Sequence, residues 1–70
     1  MGVAEQLRSL AGDLEECAGH LERTTATLAR MIDAGVKLER DQASLRQVVR
    51  VLQATSSEWA LLANQLDHRH

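Results

Sequence analysis

The chain has 70 residues, a formal net charge of −2 and 44% hydrophobic residues, with Trp59 as its single aromatic residue and no proline. This length excludes more than one small domain, and the weak net charge gives no sign of a general affinity for nucleic acid or anionic membranes. So few aromatic side chains leave little bulk for a self-sufficient core. We therefore expect an all-α chain that depends on association with other helices.

The first predicted helix, about residues 3–33, carries apolar residues at alternating steps of three and four. They are Leu7, Leu10, Leu14, Cys17 and Leu21, and Leu28 follows seven residues later. This spacing is the a/d pattern of a helix that lies against another helix. We interpret Cys17 as a small apolar group buried in this row, because no cationic neighbour or helix N-terminus activates it as a nucleophile.

A row of small residues runs along the same helix at seven-residue spacing. It consists of Ala4, Ala11, Ala18 and Thr25, with Gly12, Gly19 and Ala26 beside it. A glycine inside a helix costs about 1 kcal/mol relative to alanine, so these glycines either serve packing or are tolerated. The row is either a second contact face, which predicts a bundle of three or more helices, or an alanine-rich solvent face.

The apolar pattern weakens near Gly35. Glycine suits the left-handed C′ position of a helix end, and Val36 would then follow as C″ and fold back on Met31. A turn at Gly35 predicts a helical hairpin whose second helix covers about residues 37–67. The alternative is one continuous coiled-coil helix, because the heptad phase is kept across the weak point and residues 37–40 are good helix formers.

The second predicted helix has Asp41 as a candidate N-cap and resumes the apolar spacing. Its apolar residues are Leu38, Leu45, Val49, Leu52, Trp59, Leu62 and Leu66. Thr55 and Glu58 have capping-box spacing, so the pattern also allows a break near residues 55–57. Trp59 is either an anchor against a partner or an ordinary core residue.

No set of residues has the pattern of a catalytic, cofactor or metal site. A single cysteine and three histidines lack metal-ligand spacing, and no glycine-rich phosphate loop is present. We expect no enzymatic activity, no cofactor and no metal. Because the sequence shows no signal peptide or membrane-spanning segment and has one cysteine, we expect an intracellular, cytoplasmic protein.

We interpret the chain as a non-enzymatic interaction subunit that stabilises a larger helical assembly through its heptad rows. The expected partners are other protein helices, a hetero-oligomer being favoured over a homo-oligomer, without nucleic acid or membrane insertion. The acidic first half and mildly basic second half suit antiparallel pairing. The predicted partner-binding residues are Leu7, Leu10, Leu14, Leu21, Leu28, Leu38, Leu45, Val49, Leu52, Trp59, Leu62 and Leu66.

Two alternatives remain open. A small helical chain with a turn at Gly35 and an apolar second helix resembles the co-chaperones of type III secretion needle subunits, although the turn tyrosine expected there is missing. The resemblance covers half the chain or less, and it implies a small chaperone that shields an amphipathic client helix. The other alternative is a homo-oligomeric coiled coil.

Overall fold

The computed structural model describes residues 2–68, which form two long helices joined by a short turn. Helix α1 spans Val3–Asp33 and helix α2 spans Glu39–Asp67. The helices run antiparallel and pack along their length, over an extent of 57 Å. The predicted all-α helical hairpin is confirmed, and the alternative of one continuous helix is wrong.

A glycine cap makes the turn between the helices. Gly35 has a φ of 97°, which L side chains rarely adopt. Its N–H donates to the carbonyl of Ile32 at 2.9 Å, and the N–H of Val36 donates to the carbonyl of Met31 at 3.0 Å. These two bonds are the pair that defines a Schellman motif, with Gly35 at C′ and Val36 at C″ as the sequence predicts.

Helix α2 begins at Glu39, two residues later than predicted. The N–H of Leu38 donates to the carbonyl of Val36 at 3.1 Å, so residues 37 and 38 belong to the turn. Leu38 is the N-cap residue and makes no side-chain cap. Asp41, predicted as the N-cap, lies instead in the first turn of the helix, where a carboxylate interacts favourably with the helix dipole.

Helix α2 is continuous through residues 55–57, so the sequence-based suggestion of a break there is wrong. Ser56, in the middle of that stretch, is buried and donates a hydrogen bond to α1. A polar residue that looks like a helix interruption in the sequence therefore serves as a contact between the two helices.

Small side chains form the centre of the hairpin. The buried residues are Ala4, Ala11, Ala18, Val49, Ser56 and Ala63. Within residues 2–68, no large side chain is fully buried. The small-residue row of α1 is therefore a contact face and not a solvent face, and the helix that it contacts is α2.

Candidate helix-docking surface

Two hydrogen bonds show the register of α1 against α2. The hydroxyl of Ser56 donates to the carbonyl of Ala11 at 2.8 Å, and the side-chain amide of Gln42 donates to the carbonyl of Thr25 at 3.3 Å. Equal lengths of chain separate Ala11 from Thr25 and Gln42 from Ser56, so the register is constant between the two bonds. The contact thus runs straight along both helices.

We call this contact the seam. It joins two rows at seven-residue spacing: Ala4, Ala11, Ala18 and Thr25 on α1, and Gln42, Val49, Ser56 and Ala63 on α2. Small side chains let the two helices approach closely, which places the leucines beside the seam and not within it. Of the α2 row, sequence reasoning named only Val49 as a contact residue, and it assigned that residue to a partner. Its signal was present, because small or polar residues recur there at the same spacing as the alanines of α1.

One side of the seam is polar. Arg8 donates to the side-chain oxygen of Asn64 at 3.1 Å and forms an ion pair with Asp67. Further along, the amide of Gln53 donates to a carboxylate oxygen of Glu22 at 3.2 Å. We call these five residues the polar edge. It closes one side of the hairpin with exposed hydrogen bonds.

The other side of the seam is apolar. Because each helical residue turns about 100°, Arg8 lies about 60° to one side of Ala11 and Leu7 about 40° to the other. On α2, Gln53 and Leu52 flank the seam in the same way. Since the polar groups of both helices meet on one side of the hairpin, the leucines of both helices share the opposite side.

We call this opposite side the apolar face, and it is four rows wide. The two inner rows, next to the seam, are half-buried: Leu7, Leu14, Leu21 and Leu28 on α1, and Leu38, Leu45, Leu52, Trp59 and Leu66 on α2. The two outer rows are Val3, Leu10, Cys17, Thr24 and Met31 on α1, and Val48, Thr55 and Leu62 on α2. The exposed fraction is 48% at Leu10 and 42% at Leu62, so the large apolar side chains of the outer rows remain open to solvent in the single chain.

None of the residues of the apolar face is charged. The carboxylate of Asp41 follows the seven-residue spacing of the outer row on α2. It lies in the first turn of that helix, at the end of the hairpin where the two helices are joined. The other charged side chains of the two helices lie outside the four rows of the face. Depletion of charge is the compositional mark of the centre of a protein interface.

The structure brings together all but one of the predicted partner-binding residues on the apolar face. The exception is Val49, which is 7% exposed and lies in the seam, so it packs within its own chain and is not available to a partner. Cys17, predicted to be buried, is exposed. The physical reason is the same for both residues: α2 packs on the alanine row of α1 and not on the row that holds Cys17.

The described residues form no other candidate binding site that is as well defined as the apolar face. Its clefts are shallow and open, and three of them are grooves along a single helix. Between Gly2 and His68, no three metal-binding side chains lie close enough to hold an ion. Neither helix combines the length and the hydropathy needed to cross a membrane.

Fold and surface together define the class of this protein as an all-α helical hairpin with a one-sided apolar face. Comparisons with known protein families, with curated proteins and with solved structures found no match.

Proposed function

We propose that the chain is a non-enzymatic interaction subunit, which docks its apolar face onto helices of another protein chain and completes a shared core. The observation that carries this proposal is the exposure of uncharged, bulky side chains on one side of the hairpin, such as Leu10 and Leu62. A soluble monomer rarely leaves so long an apolar surface uncovered.

The energetics of the hairpin support the same proposal. Its centre consists mainly of alanine, which removes little apolar area from water, whereas full burial of a leucine contributes about 1.5–3 kcal/mol. The leucines of the inner rows are only half-buried in the single chain. A partner that covers them would supply the burial that a chain of this size otherwise lacks.

We expect Trp59 to contribute more to the free energy of binding than any other single residue of the apolar face. It lies in the inner row of α2, where it is half-buried, and Leu62 lies beside it in the outer row. Tryptophan is enriched among the residues that dominate binding energy, and such residues lie where water is fully excluded. We infer that a partner helix contacts Trp59 from the side that is now open.

Site-directed photocrosslinking in living cells tests this proposal. A photoreactive side chain is placed at Leu10, on the apolar face, or at Leu61, which is 59% exposed and lies outside the four rows of that face, about 100° around α2 from Leu62. We expect protein adducts from position 10 and few from position 61. Equal adduct yields from the two positions would contradict docking through the apolar face.

A chaperone would use the same apolar face as a permanent subunit but would bind its client only transiently. The protein that crosslinks to position 10 should stay bound to a permanent subunit through purification even when the sample is not irradiated. A chaperone, by contrast, releases its client, so the same partner is captured only when it is crosslinked. Purification with and without irradiation therefore separates the two functions.

A further inference from the structure

We infer that the occupant of the apolar face is a second copy of this chain, so that two hairpins stack face to face as a four-helix bundle. This inference rests on the proposed function and names the partner. It departs from the hetero-oligomer that the sequence favours, and the width, area and charge of the face are the reasons.

The width of the face argues for a partner that is itself two helices wide. Four rows of side chains lie across the face, from the outer row at Leu10 to the outer row at Leu62. A single amphipathic helix presents a narrower apolar stripe and would cover the two inner rows while leaving the outer rows in water. A second hairpin has the same four rows over the same length.

The area of the face meets what a stable dimer requires. At a rise of about 1.5 Å per residue, the face runs about 42 Å along α1 from Val3 to Met31, and the Cα atoms extend over 16 Å across the hairpin, which gives a projected area on the order of 700 Å². Each partner of a standard protein interface buries about 800 Å². Stacking one face on another therefore reaches the range of specific, stable complexes without a third component.

The charge distribution allows the face to pack against itself. Two copies related by a twofold axis bring identical surfaces together, so a charged residue near the axis would face the same charged residue of the other copy. The face holds no charge from Val3 to Met31 on α1 or from Leu45 to Leu66 on α2. Asp41 lies at the turn end of the hairpin, where its carboxylate remains hydrated at the rim of a bundle.

The purified full-length chain tests the inference. Its mass is measured by light scattering or sedimentation from low to high micromolar concentration. Trp59 is the single fluorophore of its type, so its emission reports on the same face. We expect a mass of two chains and a blue shift of the Trp59 emission as dimers form.

Adjacent leucines provide matched variants. Leu62→Glu places a carboxylate within the apolar face, whereas Leu61→Glu places it outside the four rows of that face, and the two side chains are 42% and 59% exposed in the single chain. Each dimer would bury the Leu62→Glu carboxylate twice, so we expect its dissociation constant to rise by at least about 100-fold. The Leu61→Glu chain should dimerise like the unmodified one.

Three results would overturn the inference. The first is an unmodified chain that stays a monomer over the whole range, and the second is a mass other than two chains. The third is equal dimerisation by the two variants.

A folded monomer whose Leu10 position still forms protein adducts in cells would contradict the second copy as the partner, but it would leave the proposed interaction function in place. If Leu62→Glu loses its helical circular dichroism, concentration-dependent helix content of the unmodified chain gives the same answer, because folding coupled to dimerisation makes stability depend on concentration.

Discussion

The hydroxyl of Ser56 on α2 donates to the main-chain carbonyl of Ala11 on α1 at 2.8 Å, at a point where both helices have small side chains. A carbonyl inside a helix accepts one bond from its own helix and keeps a second lone pair. The serine uses that free capacity, so the contact satisfies a buried hydroxyl without opening α1. Close approach of the helices is what makes the bond possible.

This relationship predicts different results for two substitutions of Ser56. Ser56→Ala removes the hydrogen bond and leaves the carbonyl of Ala11 bonded within its helix, so we expect unfolding free energy to fall by about 0.5–1.5 kcal/mol. Ser56→Leu forces the helices apart, and we expect a loss of about 1–3 kcal/mol. Urea unfolding at one fixed protein concentration measures both. The neighbouring, exposed Ser57 provides the control, since Ser57→Leu should change stability little.

The alanine row of α1 gives a second prediction. Ala18 is 1% exposed in the seam, so Ala18→Leu should destabilise the hairpin by about 1–3 kcal/mol through overpacking. A chain of this size loses about 4–8 °C in its unfolding midpoint for each kcal/mol. Ala26→Leu is the matched control, because Ala26 is exposed on the same helix. Equal melting temperatures for the two variants would mean that the seam is not the contact.

Glycine-to-alanine substitutions should act with opposite sign at two positions. At Gly35, φ is 97° and no atom lies within 4 Å of an added Cβ, so backbone strain alone should cost about 1–2 kcal/mol. At Gly12, inside α1, an added Cβ also meets nothing within 4 Å, and Gly12→Ala should stabilise the helix by about 0.5–1 kcal/mol. Thermal unfolding of both variants checks the pair. A stabilised Gly35→Ala chain would rule out the glycine cap.

The ion pair of the polar edge should contribute little. The side chains of Arg8 and Asp67 are 43% and 47% exposed, and exposed ion pairs are typically worth about 0–1 kcal/mol. We expect Asp67→Asn to lower the unfolding free energy by less than about 1 kcal/mol, and high salt to reduce that difference further. A double-mutant cycle with Arg8→Gln isolates the pairwise contribution. A coupling well above this range would show that the polar edge, and not the seam, holds the helices together.

Much of the hairpin could be predicted from the sequence, because local chemistry decides it. The bounds of α1 follow from an apolar period without proline, and the position of the turn follows from the one glycine placed where the pattern weakens. The start of α2 could not be placed exactly, because residues 37 and 38 are good helix formers that the turn nevertheless uses.

The roles of the rows could not be predicted, for a physical reason. The row of Leu7 and the row of Ala11 both repeat every seven residues, so periodicity shows that each can face a helix but not which helix. Leucine has more apolar area, whereas alanine allows closer approach, and the two effects compete at the same spacing. Cys17, predicted to be buried, is therefore exposed, and Val49, predicted to contact a partner, is buried in the seam. The leucines share one face, and their contact with a partner stays a prediction.

The sidedness of the hairpin has a consequence for growth of the assembly. A hairpin with apolar surfaces on both sides could bind a further copy on each side and grow into a fibre. Here the charged groups of Arg8, Glu22 and Asp67 lie on the side opposite the leucines, so a stacked pair of hairpins would carry the polar edge on the side away from the contact. In the proposed dimer, the polar edge therefore disfavours a further layer, and association through the apolar face closes with two hairpins.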